Sequence, residues 1–194
     1  LYTINGELVR RIETPGPVRH LLTAPDQPDL FFATISPEDI PADAEKKTEH
    51  TDQGTHRLLA YNSEGRKNWE ASFSGGISCS PVIVTGLSDA EAVMVIGDFD
   101  GSITCLNTRD GTIVDRYIEE QGAGPVLQMV GAHDSIGGLI WIFYLSKNTL
   151  KARTLAGVNA ETTSGSWQIE VSQGTALAVL PRGEGVAVGT ADGD

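Results

Sequence analysis

Hydrophobic residues fall along this chain in short runs, separated by turn-forming residues. The stretch from Ile77 to Tyr117 shows the pattern best. "SCSPVIV" is rich in β-branched residues and predicts a strand. "LSDAEA" is a polar connection. "AVMVIG" is almost continuously apolar, which predicts a strand buried on both faces. "SITCLN" alternates as a strand should. "TIVDRY" alternates with more polar positions, as an outer edge strand would. "DFDG" and "TRDG" join them. The Asp-Gly pair of the first predicts a type I′ hairpin, because those residues tolerate positive φ. Four short strands joined by hairpins in about forty residues match one blade of a β-propeller.

The unit recurs. "LLAYNSEGRKNWEASF", Leu58 to Phe73, repeats its third strand, turn and fourth strand. Asn62 stands where Asn107 stands, 45 residues earlier, and Gly65 stands where Gly111 stands. A degraded copy follows, with strands in "GPVLQMVG", "GLIWIFYLS", "TLKARTLAG" and "GSWQIEV". Joined end to end, "GTADGD" and "LYTINGELVRRI" form another copy of "GDFDGSITCLNTRDGTIVDRY", with Asn5 in the place of Asn107. "RHLLTA" and "DLFFATI" precede an acidic, Pro-containing segment, Ser36 to His56, which reads as a solvated loop between strands.

The expectation is therefore an all-β chain, one β-propeller domain over residues 1–194 with four-stranded blades. Its units are residues 17–73 with the insertion 36–56, 76–118, 122–171, and a last unit split between 172–194 and 1–14. A ring must close or leave raw strand edges. A blade built from both ends would close a four-bladed ring. The alternative is an excerpt of a larger ring of about seven or eight blades.

The chain has 194 residues, 22 of them Gly and 9 Pro, which suits many tight turns. Its formal charge of -12 repels phosphate backbones and argues against a nucleic-acid partner. The longest apolar run, "LIWIFYL", is far short of the ~20 residues of a membrane helix. Cys79 and Cys105 are too few for a disulfide framework. On first and third strands of one blade they would lie ~9.6 Å apart, beyond disulfide reach. They should be two buried free thiols.

The motifs resemble the PQQ-type, or quinoprotein-like, propeller repeat. That repeat runs Ser-Pro, an apolar strand, a second strand ending in Gly, Asp-Gly, a third strand ending in Asn or Asp, then Gly-Lys and Trp. Trp69 and Trp167 match its blade-locking tryptophan, while Tyr117 and Ile12 replace it elsewhere. Gly65, Asp100, Gly101, Asp110, Gly111, Asp192 and Gly193 match its turns. The resemblance implies a fold, an extracytoplasmic home, and protein or peptide partners like those of the outer-membrane assembly lipoprotein. The vicinal cysteines that cover the quinone in quinoprotein dehydrogenases have no counterpart here, so no quinone cofactor is expected.

Candidate chemistry is sparse. Asp98 and Asp100, echoed by Asp192 and Asp194, are the carboxylates to consider for calcium. The expected calcium loop lacks its later donors, and an Asp-Gly hairpin explains these residues without a metal. His50 and His56 flank Asp52 and suggest a metal site, but a polar loop explains them too. His20 and His133 stand alone. Met94, Met129 and Trp141 read as core. No nucleophile elbow, phosphate loop or zinc-protease motif occurs. The expected function is a non-catalytic interaction scaffold. The alternative is part of a quinoprotein-like dehydrogenase or sensor that holds a cofactor and calcium.

Overall fold

The computed structural model describes residues 5, 7–25, 27–37, 55–85, 92–119, 124–133, 140–155, 165–172, 174–180 and 185–191. Among them there is no helix, and so none long and apolar enough to cross a membrane. The chain resolves into two compact units, Leu1–Gly76 and Ile77–Asp194.

The first unit is one antiparallel sheet: β1 (Val18–Ala24), β2 (Gln27–Ile35), β3 (His56–Asn62) and β4 (Lys67–Phe73), paired in sequence order. The acidic stretch falls between Ile35 and His56, with His56, expected in the loop, opening β3, and its interior from 38 to 54 lies outside the described residues. Strand alternation gives the sheet two faces. Phe31, Ala33, Ile35, Leu59 and Tyr61 share one face, and Ile12 of the leading segment packs against them. Phe32, Leu58 and Ala60 lie buried on the other, with the Trp69 ring tilted against Phe32 at 5.8 Å between centroids.

The second unit opens with β5 (Val82–Val84), β6 (Val93–Gly97), β7 (Ile103–Asn107) and β8 (Ile113–Tyr117). A second meander follows: β9 (Val126–His133), β10 (Ile140–Ser146), β11 (Thr149–Leu155) and β12 (Ser166–Glu170). A hairpin, β13 (Gly174–Val179) with β14 (Val186–Thr190), ends the described chain. β6 and β7 are buried throughout, whereas β8 is largely exposed. The apolar and alternating runs predicted that contrast. The first strand is shorter than "SCSPVIV" implies. Only Val82–Val84 pair, because Pro81 supplies no N–H and the preceding Ser78 turns its N–H to Gly97 O (3.0 Å).

β10 shows why these sheets stack. Ile140, Ile142 and Tyr144 point to one side and join Val93, Val95, Ile103 and Cys105 of the preceding sheet. Phe143 and Leu145 point to the other side and pack on Leu177 of the hairpin, with Trp141 beside them. A strand apolar at every position has two faces to bury, and here two neighbouring layers bury them. Close approach between the layers needs glycine. A Cβ on Gly97 would meet Val126 Cβ at 2.6 Å, and one on Gly131 would overlap Val84.

The turns correct one expectation. Gly101 carries φ 89°, but Asp100 does not have positive φ. Asp98 and Ser102 close a three-residue loop, with Asp98 N–H donating to Ser102 O (3.1 Å). A type I turn followed by left-handed glycine gives this geometry, not the type I′ turn. The glycine alone supplies the positive φ, so the aspartate is there for its side chain.

Candidate functional site

The aspartates of the turns serve their own backbone. Asp98 is buried, and its Oδ1 accepts the N–H groups of Asp100 (3.0 Å) and Ser102 (2.8 Å). Burial pushes its carboxyl above the ordinary value, more than those hydrogen bonds pull it down. Asp110 Oδ1 accepts from Thr112 N (2.9 Å) and Oγ1 (2.7 Å), and these bonds hold its carboxyl low. The repeated asparagines act likewise: Asn62 Oδ1 accepts from Arg66 N and Asn107 Oδ1 from Arg109 N, each at 2.8 Å. Gly65 and Gly111 complete these turns with φ of 77° and 74°. Asp192, Gly193 and Asp194 lie outside the described residues, as do His50 and Asp52. Among the described residues, no group of three or more His, Cys, Asp or Glu side chains could hold a metal ion.

Cys79 and Cys105 are free and buried in the core between the two large sheets. Burial pushes the Cys79 thiol up to about 11 and the Cys105 thiol up to about 12. Both are inert thiols at neutral pH. Met94 and Met129 are core, as read from the sequence, and Trp141 is partly buried. His20 Nδ1 lies 2.9 Å from Thr34 Oγ1, and burial with the nearby Arg19 lowers its pKa. His56 opens β3 and is lowered by the same causes. His133 ends β9.

The densest polar constellation sits where β8 leaves its sheet. Glu119 Oε1 accepts from Tyr144 Oη (2.6 Å) and from Arg153 Nη2 (3.3 Å). Its Oε2 accepts from Lys151 Nζ (2.7 Å). Arg153 Nε donates to Tyr144 Oη (3.2 Å), and its guanidinium lies 5.1 Å from the Tyr117 ring centroid. Tyr117 Oη reaches Thr154 O at 3.3 Å. Strand alternation explains the convergence. Lys151 and Arg153 are two apart on β11, so they share a face, and Tyr144 is directly opposite Lys151 on β10. Burial pushes the Glu119 carboxyl up, yet the Lys151 and Tyr144 hydrogen bonds and the two cationic charges outweigh it and leave it low. The Tyr144 hydroxyl is pushed well above its usual range, first by burial and then by Glu119. A cavity of about 220 Å³ opens beside this cluster, bounded also by Ser166, Trp167 and Gln168 of β12.

Tyr117 thus bridges consecutive sheets of the second unit. Ile12 packs on the single sheet of the first unit. Trp69 packs on Phe32 within its own sheet, and Trp167 packs on Phe143 at 5.9 Å while remaining substantially exposed.

The first unit holds a wider cleft of about 650 Å³. Arg10, Arg11, Arg57 and Lys67 line it with Glu13, Glu64 and Glu70 around the Tyr61 ring. Lys67 Nζ (2.6 Å) and Arg57 Nη1 (3.3 Å) both pair with Glu70.

Sequence reasoning missed the Glu119 cluster. Tyr144 sits in an apolar run and reads as core, and Glu119 in a polar connection reads as solvated. The one available signal was the alternation in "TLKARTL", which puts two cations on one face. Ser78 was missed too: its hydroxyl lies 2.7 Å from Val126 O and 2.9 Å from Asp98 O, tying the two sheets at the chain. No family model matches the chain, and the search of curated proteins found no match.

Proposed function

We propose that this chain is a β-propeller-type interaction scaffold of the PQQ-like repeat class, without catalytic activity of its own, whose partners are proteins or peptides. The observation that carries the reading is the order of the layers in the second unit. The first meander packs face to face on the second and the second on the hairpin, in chain order, and Tyr117, which ends the fourth strand of the first, reaches the following sheet. That is how blades succeed one another around a ring. Several groups with chemical potential are already engaged in the fold: Asp98 by its turn, Glu119 by three donors, and both thiols by burial.

The alternative, a quinone- and calcium-holding part of a dehydrogenase or sensor, rests on the acidic charge and on Asp98 and Asp100. One experiment separates the two. The chain is incubated with PQQ, calcium and a panel of alcohols, and dye reduction is followed. The scaffold reading expects no reduction above a protein-free blank, and a melting temperature flat with calcium. Ligand-dependent turnover, or a melting temperature that rises with calcium as binding to the folded state requires, would replace it with the alternative.

A further inference from the structure

We propose that the outer edge of β12 is a docking strip for an extended peptide in which acidic and apolar residues alternate. This names a partner class for the scaffold reading and rests on it.

Among the described residues β12 is the edge strand of its sheet, paired only with β11, and all five of its residues are exposed. In an antiparallel pair, alternate residues turn their main-chain groups toward the neighbour. Gly165 O accepts from Thr154 N (2.9 Å) and Val171 N donates to Asn148 O (2.8 Å). The odd-numbered residues therefore face β11, and Ser166, Gln168 and Glu170 present N–H and C=O outward. An added strand would take up these groups.

Edges of this kind are ordinarily guarded by charge, proline or bulges. β4 carries Lys67 and Glu70 in its ion-paired row, and β8 carries Asp115 and Arg116. β12, "SWQIE", carries no cation and no proline, and its one charge is at its end. It instead exposes Trp167 (40%) and Ile169 (51%) on one face. A partner residue opposite either of these is held by apolar contact.

The other face differs in chemistry. Ser166 and Gln168 stand in register with Arg153 and Lys151, beside the 220 Å³ cavity. Among the described residues, two cations there share a single carboxylate, Glu119, in a chain whose overall charge is -12. A residue added opposite Gln168 lies two strands from Lys151, ~9.6 Å between backbones, a span that lysine and glutamate side chains bridge. That position accepts an acidic side chain. Glu170, on the same face, turns acids away from the far end and so sets the register.

The test is a fluorescence-anisotropy titration of the full chain with a labelled, end-blocked heptapeptide of alternating valine and glutamate. Two comparison peptides accompany it. One has lysine for glutamate, and the other is methylated on alternate backbone nitrogens along one edge. Gln168→Pro is the matched protein variant. It removes one outward N–H and none that faces β11, and proline is tolerated on a strand edge. Saturable binding of the valine–glutamate peptide is expected. Gln168→Pro should weaken it by about tenfold, the value of one lost buried hydrogen bond, and the methylated peptide, which loses one bond at each blocked nitrogen, by more than that. The lysine peptide should bind more weakly than the glutamate peptide. If Gln168→Pro lowers the melting temperature strongly, the methylated peptide on the unaltered protein carries the same test. Absence of binding at millimolar peptide, or equal binding of all three peptides, overturns the proposal. Dye reduction by a chain that still captures the peptide would overturn the scaffold reading and leave the strip intact. A chain without turnover that ignores the peptide would do the reverse.

Discussion

Two glutamates in this protein are each clasped by a lysine and an arginine, and their settings differ. Glu119 is 10% exposed, with Lys151 and Arg153 around it and the Tyr144 hydroxyl at 2.6 Å. Glu70 is 26% exposed, with Lys67 and Arg57 reaching it across a strand face that is open to solvent. Water screens the second cluster and lets each partner keep its hydration, so its net contribution is small. The first sits between packed sheets, where losing one member leaves charge stranded. Identical residue types therefore do different jobs: one fastens layers together, and the other decorates a cleft.

The sharpest way to break the comparison is to delete each carboxylate. Glu119→Ala should destabilise the fold by about 2–3 kcal/mol, lowering the melting temperature by about 5–10 °C. Glu70→Ala should cost less than about 1 kcal/mol. Thermal melts of both variants check this, and equal losses would end the distinction. Acid should separate them next. Both carboxyls are held below the ordinary value of 4.5. Their stabilisation is thus fully present above that value and fades as pH falls through the lower folded-state value. Urea unfolding along a pH series should show an acid limb that Glu119→Gln flattens and Glu70→Gln alters less.

A smaller effect concerns the thiols. Cys79 and Cys105 lie in the same interlayer core as Tyr144. Their modification at neutral pH should be slow in the parent chain and speeded several-fold in Glu119→Ala, about as expected for a modest increase in local opening. Titration with a chromogenic disulfide reagent reads this, and instant reaction of the parent would contradict the burial. The smallest effect is salt. About molar sodium chloride should remove most of the difference between Glu70→Ala and the parent while preserving that of Glu119→Ala.

Much of the fold was legible because strands announce themselves locally. "VMVIG" is apolar at each position save its last, and the structure buries it on both faces; "IVDRY" alternates and forms an edge. Asp-Gly marked the turns correctly but not their type. Turn type depends on loop length, which Asp98 sets by capping two N–H groups. The Glu119 cluster was not legible for a different reason. It joins β8's exit to β10 and β11, and only packing of one sheet on the next brings Glu119 within 3 Å of Lys151 and Tyr144. Tyr117 was legible only as a departure from tryptophan, whereas its contact with Arg153 requires the neighbouring sheet.

The account rests on the two meanders of the second unit packing face to face at close range. A side chain on Gly131 of β9 would overlap Val84 of the preceding sheet, so Gly131→Leu tests this directly. Gly185→Ala, whose added Cβ would meet only the end of the Leu180 side chain at 3.3 Å, is the control. The account predicts that Gly131→Leu lowers the melting temperature by about 5–10 °C or prevents folding, as overpacking does, and that the control melts with the parent. A Gly131→Leu chain that also melts with the parent would contradict it.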